Sequence, residues 1–139
     1  MQIFIVGSIF ETCQALDKRR LWKQILEARQ IIDILLGKTQ AWKNHPVAKM
    51  YKDDLEWLLL YLAVFEEYWK GDLEAAEIIS NGAEEIKPTF LYDDSYLENM
   101  KKRLFTKDNS FYSQWASLGE SYVNMYFVDG NWKYYNQKN

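Results

Sequence analysis

A chain of 139 residues with 48% apolar and 17% aromatic residues is long enough to bury one core, and this composition excludes a disordered tail. The net charge of −3, taken by itself, argues weakly against nucleic acid as a partner. The charge is unevenly placed, however, because residues 1–52 hold nine lysines and arginines against four acids. This asymmetry indicates one anion-facing side on an acidic body.

Membrane and secretory classes are also disfavoured. The longest apolar run, residues 57–65, is too short to cross a bilayer, which needs about 20 residues. The single cysteine, Cys13, excludes an internal disulfide, and the N-terminus has no signal-peptide pattern. We therefore expect a cytoplasmic protein in which residues 1–139 form a single domain.

The first 16 residues predict a buried N-terminal segment followed by a short helix. Residues 1–6 are apolar and β-branched, which is typical of a strand or of an extended segment inside the core. Ser8 followed by Glu11 is a capping-box pattern that begins a helix over residues 9–16. Cys13 would lie on the buried face of this helix as a small core residue.

A longer helix over residues 18–36 carries the first candidate site. Asp17 is a suitable N-cap and Gly37 a suitable C′ residue. The spacing of apolar residues predicts a buried stripe of Leu21, Ile25, Ala28, Ile32 and Leu35. Glu27 lies at the edge of this stripe with cations within one turn. The residues alone are compatible with an ordinary Lys23–Glu27 pair or with a functional carboxylate.

A basic and aromatic loop follows over residues 38–44 and leads into Trp42-Lys43-Asn44-His45-Pro46, which holds the only histidine of the chain. Pro46 favours a new helix start at this point. Asp53 with Glu56 resembles a further capping box, so we expect the helix to restart near residue 52.

The second half of the chain predicts a central buried helix, three shorter helices and a hairpin. The apolar residues 57–65 mark the central helix, which Gly71 ends. N-cap residues predict the short helices, which begin at Asp72, Ser95 and Asp108 and end near Ser80, Thr106 and Gly119. We expect the second of these to bury Leu97, Met100 and Leu104. Asp129-Gly130 between two aromatic runs predicts a turn. The expected fold is all-α: a compact helical bundle with the N-terminal segment tucked between helices and a small C-terminal hairpin.

Several chemistries lack the residues that they need. One histidine and one cysteine cannot make a usual zinc site, and no phosphate loop or dinucleotide fingerprint occurs. We therefore expect no metal and no cofactor. Four acidic pairs are predicted at helix caps or exposed turns rather than in a catalytic dyad: Asp53-Asp54, Glu66-Glu67, Glu84-Glu85 and Asp93-Asp94.

Several short motifs together carry a family resemblance. The matching residues in the first half are Leu16-Asp17-Lys18-Arg19-Arg20-Leu21, Lys23-Gln24, Glu27 and Trp42-Lys43-Asn44-His45-Pro46. Those in the second half are Pro88, Leu91, Asp93, Lys107-Asp108 and Trp132-Lys133-Tyr134-Tyr135. On these residues the chain resembles the pyrimidine dimer DNA glycosylase superfamily, the endonuclease V type of phage repair enzyme, and within it a bacterial and phage branch.

The resemblance implies an all-α fold and a DNA glycosylase/AP lyase. In this family the N-terminal amine attacks C1′ of a damaged nucleotide and forms an imine, assisted by a helix glutamate. By position, the amine of Met1 and the carboxylate of Glu27 would be catalytic. The implied substrate-binding residues, which would hold phosphate, sugar or base, are Arg20, Lys23, Gln24, Trp42, Lys43, Asn44 and His45. Damaged or modified DNA would be the partner.

Two alternatives remain open from the sequence. One is a non-catalytic module that keeps the fold and binds nucleic acid or protein. Leu97 and Met100 favour it, because they stand where the branch tends to have histidines, and so does the large Gln2 after Met1. The other alternative is N-glycosidic chemistry on a free nucleotide, which suits an acidic protein.

Overall fold

The computed structural model describes residues 1–137. In this part of the chain, six α-helices are followed by a two-stranded antiparallel hairpin. The helices are α1 (Ile9–Ala15), α2 (Lys18–Leu35), α3 (Pro46–Met50), α4 (Leu55–Lys70), α5 (Leu73–Ala83) and α6 (Asp94–Lys107). The strands are β1 (Val123–Val128) and β2 (Asn131–Asn136), and 3-10 turns cover Glu84–Ile86, Thr89–Tyr92 and Ser113–Leu118. The prediction of an all-α fold with a small hairpin is confirmed.

The N-terminal segment is extended and lies in the core without belonging to a sheet. Ile3, Phe4 and Ile5 are all buried. Side chains supply the hydrogen bonds that a strand neighbour would give: the N–H of Phe4 donates to Gln24 Oε1 at 2.8 Å, and that of Val6 to the Thr12 hydroxyl at 3.0 Å. The segment is therefore held by α1 and α2, as the sequence predicted for a tucked N-terminus.

Local capping signals place α1 and α2 correctly. The Ser8–Glu11 capping box forms in both directions, and the Asp17 carboxylate accepts from the N–H of Arg20. The buried face of α2 is wider than the predicted stripe, since Gln24, Ile31 and Ile34 are also buried while Leu35 is only half-buried. The reason is that α2 packs against both α4 and α3, so its buried residues extend beyond a single stripe.

Helix α4 is the centre of the bundle and packs against α1, α2 and α5. Its buried residues are Trp57, Leu58, Tyr61, Val64 and Phe65. The helix breaks near residue 52 as predicted, but the predicted Asp53–Glu56 capping box is wrong. Asp54 is the N-cap, and its side chain makes no capping hydrogen bond because its backbone is not in the extended conformation that capping requires.

Three predicted boundaries in the second half are also wrong. Helix α5 continues through Asn81-Gly82 to Ala83, because burial of Ser80 and Ala83 outweighs the low helix propensity between them. Helix α6 begins one residue before Ser95, since Asp93 is the N-cap. The helix predicted after Asp108 is instead a turn followed by the 3-10 helix Ser113–Leu118.

The hairpin turns at Asp129-Gly130, as predicted, and pairs Val128 with Asn131. Strand β1 lies on α3 and α6, with Met125, Tyr126 and Val128 buried, whereas β2 is mostly exposed. Helix α6 buries Met100 and Leu104 as expected, but Leu97 is only half-buried. Within residues 1–137, none of the helices combines the length and the apolar character needed to cross a bilayer.

Candidate active site

A cleft of about 180 Å³ opens beside the N-terminal segment, between α2 and the end of α6. Five of the residues predicted for the site line it: Met1, Arg20, Lys23, Gln24 and Glu27. Arg19, Lys107 and Gln137 also line it, and the sequence analysis did not select them. The structure therefore brings the predicted amine and the predicted carboxylate into one cavity.

The Glu27 carboxylate is directed at the beginning of the chain. Its Oε2 accepts from the backbone N–H of Gln2 at 3.5 Å and from Gln24 Nε2 at 3.0 Å. Since consecutive backbone nitrogens are separated by three bonds, the Met1 amine lies no more than about 7 Å from this oxygen. Among residues 1–137, Lys23 makes no ion pair with Glu27, so the ordinary helix pair is not what occupies the carboxylate.

Gln24 connects the glutamate to the core. Its side chain is 1% exposed. The Oε1 atom accepts from the N–H of Phe4 at 2.8 Å and lies 2.9 Å from the Tyr61 hydroxyl, while Nε2 donates to the carbonyl of Gln2 at 3.3 Å and to Glu27. The amide therefore accepts two hydrogen bonds and donates two, all within the protein. It fixes the N-terminal segment and the glutamate relative to each other.

Cations surround the carboxylate. Arg20 pairs with Asp17 at 3.1 Å, whereas Arg19 and Lys23 are exposed. Partial burial lowers the pKa of Lys107, repulsion by neighbouring cations lowers it further, and attraction to Glu27 opposes the shift. The repelling cations are Arg103, Arg20 and Lys23. The cleft is thus a positive surface with one central negative charge, which suits a polyanion whose reacting carbon becomes positive.

Tyr126 holds the first residue of the chain from the other side. Its hydroxyl donates to the carbonyl oxygen of Met1 at 3.0 Å. Burial raises the pKa of Tyr126 to about 12; Arg103 opposes this shift, and Glu27 and Tyr135 add to it. The sequence analysis placed Tyr126 only in the hairpin. Its position in the unbroken apolar run of residues 125–128 is typical of a buried strand, but nothing local indicates its contact with Met1.

Arg103 is a buried cation beside this position. It is 3% exposed, and its guanidinium donates to the carbonyl of Ser121 at 3.5 Å and to the side-chain oxygen of Gln137. Its Nε is buried without a hydrogen-bond partner in the described part of the chain. The sequence signal that was missed is the spacing of Arg103 and Lys107, which are four residues apart on one helix and therefore lie on one face.

His45 belongs to the surroundings of the amine. Its Nδ1 accepts from the N–H of Val47 at 3.0 Å and caps α3, so the neutral ring carries its proton on Nε2. Burial lowers the pKa of His45, and the charge of the N-terminal ammonium lowers it further. The centroids of the His45 and Tyr126 rings are 5.7 Å apart, with the two planes nearly perpendicular.

The remaining predicted residues lie outside the cleft. Trp42, Lys43 and Asn44 are exposed on the loop before α3. Trp42 is 60% exposed, has a left-handed φ of 62°, and its ring is 6.3 Å from that of His45. Such a conformation is strained for an aromatic residue. Trp42 and His45, together with Tyr126 and Tyr135, form an aromatic row that starts at this loop and ends on the hairpin.

Comparison with known proteins gives one match. A family model described as pyrimidine dimer DNA glycosylase matches residues 1–71. No curated protein and no solved structure matches the chain. The matched range contains Met1, Gln24, Glu27 and His45, but not α6 or the hairpin. Among residues 1–137, no cluster of three or more His, Cys, Asp or Glu side chains could hold a metal ion.

Proposed function

Because the chain belongs to the pyrimidine dimer DNA glycosylase family, we propose that it removes a damaged or modified base from DNA and then cleaves the abasic site. The observation that carries this proposal is the hydrogen bond from the N–H of Gln2 to Glu27 Oε2. Glu27 is the one carboxylate among the described residues that line the cleft, and this bond holds it against the residue that follows the N-terminal amine.

The proposed reaction begins at the Met1 nitrogen. Amines displace leaving groups at sugar carbons and form covalent imines. The amine bonds to C1′ as the bond from C1′ to the base breaks, and the base leaves with one proton of the amine. The bond from C1′ to the ring oxygen O4′ then breaks, the remaining amine proton moves to O4′, and C1′ forms an imine with the Met1 nitrogen. Glu27 stabilises the positive charge that develops on the sugar. It then takes a proton from C2′ of the imine, and the bond from C3′ to its phosphate oxygen breaks.

The other residues divide into binding and positioning roles. Arg20, Lys23, Lys43, Asn44 and His45 are proposed to hold phosphates or the sugar, and Trp42 to stack on a base. Lys107 joins them because it lines the same cleft. Gln24 is proposed as a positioning residue, since its amide already makes its hydrogen bonds within the protein.

The size of the cleft favours a strand over a free nucleotide. Pockets that enclose small ligands occupy about 300–1,000 Å³, whereas this cleft encloses about 180 Å³. A strand lying across the opening needs to insert only its reacting sugar. The non-catalytic alternative makes a different prediction: binding to DNA that depends steeply on salt, without any covalent product.

Borohydride trapping tests the proposal. The protein is incubated with ultraviolet-irradiated DNA and with abasic-site DNA, reduced, and examined by mass spectrometry. We expect a covalent adduct that maps to the Met1 amine. An adduct on Lys23 or Lys107 would overturn the role of Met1, and the absence of any adduct, together with salt-dependent binding, would overturn the catalytic proposal in favour of the binding module.

A further inference from the structure

Two tryptophans contact each other on the surface beside the cleft. Trp22 projects from α2 and Trp69 from α4, and each is 39% exposed. Their ring centroids are 5.1 Å apart with the planes tilted by 38°. Single exposed apolar side chains are common in soluble proteins, but two adjacent indoles form a broad aromatic surface.

The tryptophan groove, defined by Lys18, Arg19, Trp22 and Trp69, is a shallow, open depression along one side of this pair. The Lys18 ammonium is 5.7 Å from the centre of the Trp69 ring. The groove therefore combines aromatic rings with two cations, and among residues 1–137 no carboxylate lines it.

The charges distinguish the two sides of the tryptophan pair. On the far side, Arg29 is paired with Glu66 at 2.7 Å and Lys70 with Glu67 at 3.0 Å, so both cations are neutralised. In the groove, neither Lys18 nor Arg19 has a carboxylate within 4.0 Å among residues 1–137. A ligand that is both aromatic and anionic therefore fits the tryptophan groove. On the far side of the pair, Glu66 and Glu67 would repel it.

The groove adjoins the candidate active site at one residue. Arg19 lines both the groove and the cleft that contains Glu27. A DNA strand that crosses the cleft and follows this arginine would therefore bring its next nucleotide to the tryptophans. A nucleotide has the required chemistry, because its base presents an aromatic face and its phosphate a negative charge.

We propose that the tryptophan groove binds one unpaired nucleotide next to the reacting one, with its base against Trp22 and Trp69 and its phosphate on Lys18 and Arg19. This inference rests on the proposed function, since it takes DNA as the substrate. It gives the protein a second binding site for the DNA strand. This site would hold the DNA open beside the position where the base is removed.

Binding to a non-reactive DNA tests the groove separately from catalysis. The probe is an oligonucleotide with a reduced abasic analogue and the fluorescent base 2-aminopurine beside it, on either side in turn. We expect stacking to quench the fluorescence at one of the two positions. Trp22→Leu and Trp69→Leu should remove this quenching and weaken affinity about 5- to 150-fold, the range measured for loss of one base–aromatic stack.

Tyr92→Leu is the matched control, because Tyr92 is 65% exposed, has Lys87 over its ring at 4.2 Å, and does not line the groove or the cleft. It should leave both signals unchanged. Lys18→Glu keeps both indoles and should weaken binding even if a tryptophan variant fails to fold. If folded Trp variants kept the affinity and the quenching of the wild type, the proposal that the groove binds a nucleotide would be overturned, even where borohydride traps an adduct. Loss of quenching in these variants would support it, even where trapping fails.

Discussion

Residues 1–71 and residues 72–137 contribute different kinds of groups to the same cleft. The first part supplies the amine of Met1 and the carboxylate of Glu27, and the amide of Gln24 fixes their relation. The second part supplies the charge of Lys107 to the cleft, and the hydroxyl of Tyr126, which lies outside the cleft, holds the carbonyl of Met1. Only the first part is matched by the family model. The comparison teaches that the two groups proposed to react lie on one helix and at the N-terminus, whereas part of the surroundings that hold them in place comes from distant sequence.

The largest effect on activity is expected from a change at Glu27, which is proposed to react. Glu27→Gln keeps the shape of the side chain but removes its negative charge and its basicity. We expect single-turnover base release and strand cleavage to slow by about 10²–10⁴-fold, the usual contribution of a positioned acid or base. Glu66→Gln, which removes an exposed carboxylate that pairs with Arg29, serves as the control. Full activity of Glu27→Gln would contradict the proposal that Glu27 takes part in the reaction.

Gln24→Ala tests the connection between the core and the site. The substitution leaves the buried N–H of Phe4 without its acceptor and the carbonyl of Gln2 without its donor. Because each buried group left unsatisfied costs about 1–3 kcal/mol, we expect the free energy of unfolding in urea to fall by about 2–4 kcal/mol. Gln30→Ala, at an exposed position of the same helix, should change it little. An equal effect of both variants would contradict the role of Gln24.

Lys107→Gln tests the contribution of the second part to binding. If Lys107 contacts one phosphate, its loss should reduce the slope of log affinity against log salt by about 1. The single-turnover rate at saturating protein should stay close to that of the wild type. Lys70→Gln removes a lysine that pairs with Glu67 and should leave the slope unchanged. A large loss of rate at saturation would instead place Lys107 among the reacting groups.

Tyr126→Phe removes one hydroxyl and keeps the ring. The carbonyl of Met1 then lacks its donor, so we expect the protein to lose about 1 kcal/mol of unfolding free energy. Borohydride trapping should also slow, since the amine is held less firmly. Tyr92→Phe, in an exposed ring, is the control for unfolding in urea. Unchanged trapping would show that the hairpin does not position the amine.

The smallest effect concerns pH and His45. Burial and the nearby ammonium lower its pKa in the folded protein. Between this pKa and the ordinary value of about 6.5, the unfolded chain binds a proton that the folded protein does not. The stability contributed by neutral His45 is therefore complete above pH 6.5 and is lost as the pH falls. His45→Asn keeps an N-cap acceptor but cannot titrate, so its unfolding free energy should fall less than that of the wild type between pH 7 and pH 5. If the unfolding free energies of His45→Asn and the wild type fell equally between pH 7 and pH 5, the assignment to His45 would be contradicted.

Local signals explain which parts of the fold could be predicted. The caps at Ser8 and Asp17 depend on residues three positions apart, and both form as expected. Capping patterns failed where a neighbouring residue took the N-cap position, as Asp54 does beside Asp53 and Asp93 does before Ser95. The end of α5 was missed because burial of Ala83, which is a long-range property, carries the helix past Gly82.

The same distinction applies to the candidate site. Glu27 and Met1 were selected through the family resemblance, and the cleft brings them together. Lys107 and Tyr126 could not be placed beside them, because no periodicity relates positions 80 or more residues apart. The resemblance implied that Gln24 binds substrate; it lines the cleft, but it is buried, with its amide fully hydrogen-bonded inside the protein.

The hydrogen bond between Tyr126 and Met1 has a consequence for the order of events during synthesis. It joins positions 125 residues apart, and contacts between positions so far apart in sequence are slow to form. Met1 is translated well before Tyr126, so before β1 docks the N-terminal segment is held by its contacts with α1 and α2 and lacks the hydrogen bond from Tyr126. We therefore expect Met1 to reach its final position only when the hairpin has docked.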